Sequence, residues 1–423
     1  MQKKHLMASS LSFMLLATAT LYGEEIPEGT ILDQNNLQTL SQQTLDGKKI
    51  ADLLLPSQKM MIEKYAFTMK LRKNAPMQHN PLLVTATKKF SDKVRFNPEN
   101  KAMENHVAGI PFPKIDENDP DAGIKLAYNY MRGPWASDTL DYNPLTILVI
   151  DGKGGLQRQL AMRYMRLMTK AMLREPYSIG SPEIVKYETT LFVGPEDLRG
   201  LGVLTIQYVD GRLPDVYAYI KPVRRVRRLS SNAWADPLAG TDFLNDESFG
   251  MNADPRWYKS FKLLGKRWIM GVAHSISPGV QTQASNPQSR FPSMRLKDAP
   301  YWNYTEAWEP REVWAIDVTP SKNHLVSKKT QYYDADPYMP GMHWQEYYDR
   351  SGKLWRIQND CLVSAKGVDG NWAVFPTIMA MFDVQREHAT ILYGSKESKE
   401  FKENIVNPSL NDYAPNAIPR LLQ

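Results

Sequence analysis

The chain has 423 residues, of which 42% are hydrophobic and 23% charged, and it contains 10 tryptophans and one cysteine, Cys361. This composition excludes wholesale disorder, because a sizeable apolar core is available, and the single cysteine excludes an internal disulfide. The net charge of +6 would suggest nucleic acid as a partner only in a cytosolic chain.

The N-terminus has the pattern of a secretory signal. Lys3 and Lys4 precede an apolar run at 6–21, and Ala19 and Gly23 are possible cleavage positions. The run is shorter than the roughly 20 apolar residues that span a membrane comfortably. We therefore predict a cleavable signal peptide at 1–23 and a periplasmic mature chain that does not span the membrane. Export removes nucleic acid as a partner and leaves anionic lipid headgroups or acidic protein surfaces to meet the positive charge.

Residues 24–142 are predicted to be a mixed, mainly helical region that packs on a sheet. Apolar residues at roughly helical spacing in 41–70 predict two short amphipathic helices separated by Pro56. Residues 65–71 also alternate well enough to be a strand, and this alternative stays open. Helical periodicity returns at 122–131.

From residue 145 the pattern indicates strands. The apolar run 145–150 is followed by a glycine-rich turn at 151–155. Residues 156–173 are ambiguous, because apolar side chains recur every four residues, which taken alone favours a helix. A strand at 186–193 follows.

A hairpin is predicted at the centre of the chain. Residues 203–208 and 215–220 are rich in β-branched and aromatic side chains, and a turn-forming stretch separates them. A third extended piece, 223–229, carries four arginines, and a turn-rich loop occupies 230–257. In that loop, Asp242 is interpreted as a turn residue that could pair with one of the arginines.

The remaining chain predicts more strands around one insertion. Residues 274–311 contain five prolines without periodicity, which predicts an ordered lid. Together with the earlier strands, the elements that follow predict a sheet domain at 143–394 and a tail at 395–423. Residues 261–264 and 267–272 are predicted to form either a strand pair or one long bent strand. The further predicted strands are 312–318, 324–333, 342–349, 354–365, 372–384 and 387–393.

Motifs for catalysis are missing from the sequence. It has no Gly-x-Ser-x-Gly nucleophile motif, no His-Glu-x-x-His pair and no phosphate loop ending in Gly-Lys-Ser/Thr. The seven histidines are scattered without metal-ligand spacing. Asp334 and Asp336 lie in a predicted turn, where exposure to water accounts for the two carboxylates without a catalytic role. We therefore expect no enzyme, no cofactor and no metal, and we expect Cys361 to be a buried strand thiol.

Several sequence blocks carry a resemblance to a known family. A strand with Asp215, Tyr217 and Tyr219 leads into an arginine-rich run and then a Gly-Thr-Asp-Phe turn at 240–243. These features resemble the domain-of-unknown-function 1329 family, periplasmic relatives of the LolA/LolB-type lipoprotein-sorting proteins, over most of the mature chain. Tyr217 departs from the pattern, since tryptophan is common there. The other blocks are 109–113, 194–200, 311–314 and 348–355.

This resemblance implies a fold and a function. The fold is expected to be α+β, with one large curved antiparallel sheet, an incomplete barrel, covered by helices, and 156–173 is then a strand. The function implied is a carrier that binds a lipid or other long hydrophobic molecule in the hollow of the sheet and moves it between the inner and outer membranes. Partners implied are an RND-type inner-membrane exporter and an outer-membrane barrel protein.

Two groups of residues are candidates for the site. One group consists of aromatic side chains and the other of arginines. Each aromatic ring could equally fill an ordinary core, and the arginines could form a solvated strand face. The alternative function is therefore a non-catalytic scaffold of an envelope assembly. The carrier interpretation requires a hollow sheet. The ring candidates are Tyr208, Tyr217, Tyr219, Trp268, Trp314, Tyr332 and Trp355, and the candidates for headgroup or partner contact are Arg224, Arg225, Arg227 and Arg228.

Overall fold

The computed structural model of the chain describes residues 24–132, 137–229, 234–281, 284–322, 324–339, 341–394 and 401–422. The predicted signal peptide at 1–23 lies outside these ranges. Within them, no helix has both the length and the apolar character that crossing a membrane requires.

Short helices occur mainly before the sheet. The helices predicted on either side of Pro56 are confirmed, with Pro56 as the first residue of the second one, where its missing N–H costs nothing. The helix predicted at 122–131 is also confirmed. The helices are α1 Leu37–Leu40, α2 Ile50–Leu53, α3 Pro56–Tyr65, α4 Pro81–Phe90, α5 Ala122–Arg132, α6 Pro287–Arg290 and α7 Ile418–Leu421.

Strands make up most of the regular structure. Those predicted from alternation are found, with ends that differ by a few residues, and the strand alternative for 65–71 is realised only at its end, in β4. The strands are β1 Ile31–Leu32, β2 Thr44–Leu45, β3 Lys48–Lys49, β4 Met69–Leu71, β5 Arg95–Asn97, β6 Ala102–Glu104, β7 Thr139–Asp151, β8 Gly155–Met168, β9 Ile184–Gly194, β10 Leu201–Tyr208, β11 Asp215–Ile220, β12 Arg225–Leu229, β13 Ser260–Gly271, β14 Ala307–Thr319, β15 Lys328–Asp334, β16 Met342–Tyr348, β17 Leu354–Lys366, β18 Trp372–Asp383, β19 His388–Tyr393 and β20 Phe401–Glu403.

One curved, unclosed sheet organises the fold, as predicted. In the part of the chain that the structure describes, sixteen strands join it, in the order β1-β4-β14-β15-β16-β17-β18-β19-β7-β8-β9-β10-β11-β12, with β13 beside β14 and β20 beside β7. Neighbouring strands are antiparallel except β4 and β14, which are parallel. The predicted antiparallel sheet is therefore found with one exception, the parallel pair that joins the N-terminal region to the sheet.

The stretch 156–173 forms strand β8 up to Met168, so the helical spacing was misleading. Residues four apart lie on one face of a helix, but they also lie on one face of a strand, because strand side chains alternate with period two. Leu160 and Tyr164 accordingly point to one core, whereas Met165 and Leu167 point to another.

Both faces of the sheet are covered by the same chain. The first face packs against the N-terminal segment 26–71 and residues 291–308, and its core includes Trp308, Trp344 and Phe382. The second face packs against α5 and the loop that follows β12. A third, smaller core lies between β8–β10 and the C-terminal α7.

The predicted lid at 274–311 is shorter than expected, since strand β14 already begins at Ala307. Buried Glu306 holds the segment at its base: its carboxylate accepts hydrogen bonds from the Ser275 hydroxyl (2.7 Å) and the Ile276 backbone N–H (2.8 Å). Burial raises the pKa of Glu306. The segment is thus packed into the first core. Whether it acts as a lid stays a prediction.

Candidate functional site: a covered sheet face with a buried ionic latch

The second face of the sheet lies under residues 236–252, which we call the cover segment. Its side chains Phe243, Leu244, Phe249 and Met251 are buried against the sheet. Between described residues, its backbone-to-backbone hydrogen bonds stay within the segment, for example Leu238 N–H to Phe243 O at 2.8 Å and Asn245 N–H to Asp236 O at 2.9 Å, and its backbone meets the sheet only through side chains such as Thr390 and Arg356. The cover segment therefore lies on the sheet without joining its strand ladder.

A buried ionic cluster, which we call the latch, fastens the cover segment to the sheet. The Lys329 ammonium on β15 donates to the Asp246 carboxylate at 2.6 Å. The Arg356 guanidinium on β17 donates to both oxygens of Glu247 at 2.6 and 2.8 Å. His324 Nε2 lies 3.2 Å from Asp246. All five side chains are almost fully buried, so these pairs are shielded from water.

The electrostatics of the latch favour the charged forms of Asp246 and Arg356. Burial alone would raise the pKa of Asp246, but the Lys329 ammonium and His324 hold that pKa well below its usual range. Burial alone would lower the pKa of Arg356, but the Glu247 carboxylate raises it. The latch is incompletely satisfied: Asp246 Oδ1 and Arg356 Nε are buried without a hydrogen-bond partner among the described residues.

Asp242 forms a second attachment of the cover segment to the sheet, four residues before Asp246. Its carboxylate lies 2.7 Å from His388 Nδ1 and accepts a 2.7 Å hydrogen bond from the Thr390 hydroxyl on β19. The Asp242 backbone N–H also donates to Thr390 at 2.9 Å. Asp242 therefore pairs with a histidine of the sheet, and the expectation of a partner among the arginines of 223–229 is wrong.

We predict that the pair His388–Asp242 makes stability depend on pH. The hydrogen bond to Asp242 raises the pKa of His388 above 6.5. The contribution of the His388–Asp242 pair to the free energy of unfolding is therefore complete below about pH 6.5 and is lost as pH rises through the pKa of His388 in the folded state. Urea unfolding should show that wild type exceeds His388→Gln in stability at about pH 5.5 and that the difference shrinks by about pH 8.5. A difference independent of pH would contradict this assignment.

The predicted aromatic residues fall into three groups. Trp268 and Tyr332 belong to the core of the first face, and Trp268 also lies under the Lys48 ammonium at 3.9 Å from the ring centre. Trp314 and Trp355 belong to the core of the second face. The remaining three, Tyr208, Tyr217 and Tyr219, are half-buried around the third core. The structure thus does not bring the seven rings together around one cavity.

The predicted cationic residues lie at an edge of the sheet. Arg225, Arg227 and Arg228 are exposed on β12, and Arg224 precedes it with φ of 49°. Arg228 forms an ion pair with Asp215 on β11. Charges of this kind protect an edge strand from unwanted pairing, and they also present a positive surface to water.

Two clefts open beside the covered faces. One, of about 40 Å³, lies between α5 and the β15–β16 turn and includes Trp314 in its wall. The other, of about 220 Å³, lies near the ends of β8 and β9. Both are smaller than the roughly 300–1,000 Å³ of sites that enclose a small ligand. In the described ranges, no group of three or more His, Cys, Asp or Glu side chains is placed to hold a metal ion.

Sequence reasoning missed the latch. Its members Asp246, Lys329 and Arg356 are far apart in the chain and belong to no motif. The one available signal was the Gly-Thr-Asp-Phe block at 240–243, which lies in the cover segment. Cys361 was predicted correctly as a buried thiol, and burial raises its pKa well above the usual value.

The fold and the site define a class of protein: a wide, unclosed sheet whose apolar faces are covered by segments of its own chain. The chain belongs to the family described as protein of unknown function DUF1329, whose model matches residues 39–419. The resemblance stated from the sequence blocks is thereby confirmed. No curated protein matches the sequence.

Three crystal structures illustrate the similarity. A domain assigned to the outer membrane lipoprotein-sorting proteins, from Vibrio parahaemolyticus, is 17% identical and aligns with a TM-score of 0.48, covering 71% of this chain and 100% of that chain. A DUF1329 family protein from Desulfovibrio piger has a TM-score of 0.47 with the same identity and coverage. A LolA superfamily protein from Nitrosomonas europaea is 13% identical, with a TM-score of 0.39 and coverage of 68% and 97%.

Proposed function

We propose that the protein is a non-catalytic carrier of a long hydrophobic molecule, which it binds on the second face of its sheet after the cover segment moves away. The observation that supports this most is the way in which the cover segment is attached. It places Phe243, Leu244 and Phe249 on an apolar sheet face, yet its backbone forms no strand ladder with the described strands and bonds to them only through their side chains. In the closed state the cover segment occupies the place of the guest.

The latch suits a cover that opens. Removing a buried ion pair's partner is costly, but separating both partners into water restores the hydration that each lost on burial. The net free energy of opening is then governed by the exposed apolar surface. A guest that covers the same sheet face removes this apolar surface from water again, and each methylene that it buries stabilises the complex by about 0.8 kcal/mol.

The chemistry of the latch also suggests the polarity of the guest. When Asp246 and Glu247 withdraw, Lys329 and Arg356 remain on the sheet as cations beside an apolar face. An acidic headgroup can take the place of the two carboxylates through charge-assisted hydrogen bonds. We therefore propose an anionic amphiphile, such as a lipid with a phosphate or carboxylate head.

The location and partners belong to the same proposal. We place the carrier in the periplasm, where it moves its cargo between the inner and outer membranes with an RND-type exporter and an outer-membrane barrel protein. The family resemblance is the support for these partners. The exposed arginines of β12 offer a positive surface for an acidic partner or for anionic headgroups.

Binding of a fluorescent C16 fatty-acid probe tests this function. We expect saturable binding that an excess of unlabelled long-chain lipid reverses, and binding that strengthens when the latch is weakened by Glu247→Gln. Glu196→Gln, at an exposed position outside the cover segment, serves as the matched control. Absence of saturable binding in both wild type and Glu247→Gln would overturn the carrier proposal.

The alternative function is a scaffold of an envelope assembly. The observation that favours it is that both faces of the sheet are filled by side chains of the chain itself. A scaffold would bind no probe and would retain partners when the cover segment is fixed in place. The probe experiment therefore separates the two functions.

A further inference from the structure

The cleft of about 220 Å³ is built from several parts of the fold. It opens where β8 ends, β9 begins and β10 ends, and it lies outside the cover segment. Its walls are mostly apolar, and none of its residues was a candidate from the sequence. The apolar wall residues are Met103, Tyr128, Ala171, Val185 and Val209.

The side chains around the cleft that can carry a positive charge are a lysine, an arginine and a histidine. Among the residues that the structure describes, Lys170, Arg256 and His106 line it, and no Asp or Glu does. The Arg256 guanidinium is already engaged by Asp254 at 2.7 and 2.8 Å and by the Val209 carbonyl at 3.0 Å. The ammonium of Lys170, in contrast, has no ion-pair or hydrogen-bond partner among the residues that the structure describes. The cleft therefore carries one uncompensated positive charge beside apolar walls.

The backbone around Lys170 is fixed in place. Ala171 forms a bridge with Ala108, and Lys170 itself forms one with Ser178. The ring of Tyr128 is held by its hydroxyl, which donates to the Lys101 carbonyl at 2.6 Å. A preformed wall lowers the cost of ordering on binding.

We propose that this cleft binds a small amphiphilic carboxylate, with the acid group on Lys170 and a short alkyl chain between Met103, Val185 and Val209. The free cation specifies the negative head, because its charge is otherwise unpaired. The volume restricts the tail, because a longer chain would extend into solvent. This site is separate from the sheet face of the proposed carrier and requires no movement of the cover segment.

Calorimetric titration with octanoate, 1-octanol and octylammonium tests the site, since the three share a chain and differ in charge. We expect octanoate to bind the purified protein most tightly. Lys170→Met should weaken the binding of octanoate by about tenfold or more while leaving the affinity for octanol unchanged. Lys170→Arg should retain octanoate binding. Val209→Trp, which fills the cleft mouth, should weaken octanoate and octanol alike.

Lys153→Met is the matched control, because the Lys153 side chain is 84% exposed and lies outside the cleft. Octanoate binding should persist when the cover segment is cross-linked to the sheet by Asp242→Cys and Thr390→Cys in a Cys361→Ala background, so failure of the carrier proposal would leave this site standing. Octanoate affinity that is equal in wild type, Lys170→Met and Lys153→Met would overturn the proposal, as would loss of octanoate binding in the cross-linked variant.

Discussion

Replacing Arg356 with methionine is expected to destabilise the folded chain by about 3–5 kcal/mol, because the Glu247 carboxylate then stays buried without its main partner. The Lys329 ammonium lies 3.9 Å from the Glu247 carboxylate and already forms an ion pair with Asp246, so it cannot fully replace Arg356 as the partner of Glu247. Urea unfolding of the variant measures the loss directly.

Two further variants make this prediction specific. Arg350→Met changes an exposed arginine in the β16–β17 turn and should leave the free energy of unfolding within about 0.5 kcal/mol of wild type. The double variant Arg356→Met/Glu247→Leu removes both charges and should recover most of the lost stability. A single Arg356→Met variant as stable as wild type would show that the latch does not hold the cover segment.

Locking the cover segment is expected to abolish exchange of a long-chain guest. Asp242 and Thr390 are in contact across the boundary between the cover segment and β19, with 2.7 Å between their side-chain oxygens. A disulfide between cysteines at these positions, in the Cys361→Ala background, should slow uptake of the C16 probe by at least about tenfold. Reduction of the disulfide should restore uptake.

The reduced double-cysteine variant is the control, since it carries the same substitutions without the cross-link. The stopped-flow change in probe fluorescence gives the uptake rate for both forms. Equal rates in the oxidised and reduced forms would mean that the guest enters elsewhere or that the cover segment does not move.

The strands could be predicted from the sequence because alternation of apolar side chains is a local property. The hairpin of β10 and β11 and the strand β18 are examples in which β-branched and aromatic residues recur along the element. The stretch 156–173 needed the family resemblance, because spacing by four fits both a helix and a strand.

The faces of those strands could not be predicted. A bulge moves every later side chain of its strand to the opposite face, and the described strands have an extra residue at Leu264 in β13, at His343 in β16 and at Thr377 in β18. Met342 and Trp344, two residues apart in β16, consequently belong to different cores, and the predicted aromatic set divides among three.

The latch could not be predicted for a different reason. Asp246 meets Lys329, and Glu247 meets Arg356, only after three strands and a long loop are in place, so no local sequence pattern predicts these ion pairs. A lone buried Lys or Arg in a strand sequence looks like a solvated residue until its partner is known. Asp242 illustrates the same limit, because its turn was predicted but its pairing with His388 was not.

Native mass spectrometry of the protein purified from its own cell envelope tests the carrier proposal most directly. The account predicts a fraction of molecules that carry a bound anionic amphiphile, and a larger fraction for Glu247→Gln, in which the latch is weaker. Only ligand-free molecules in both proteins, in repeated preparations from intact envelopes, would contradict it and would leave the scaffold as the better description.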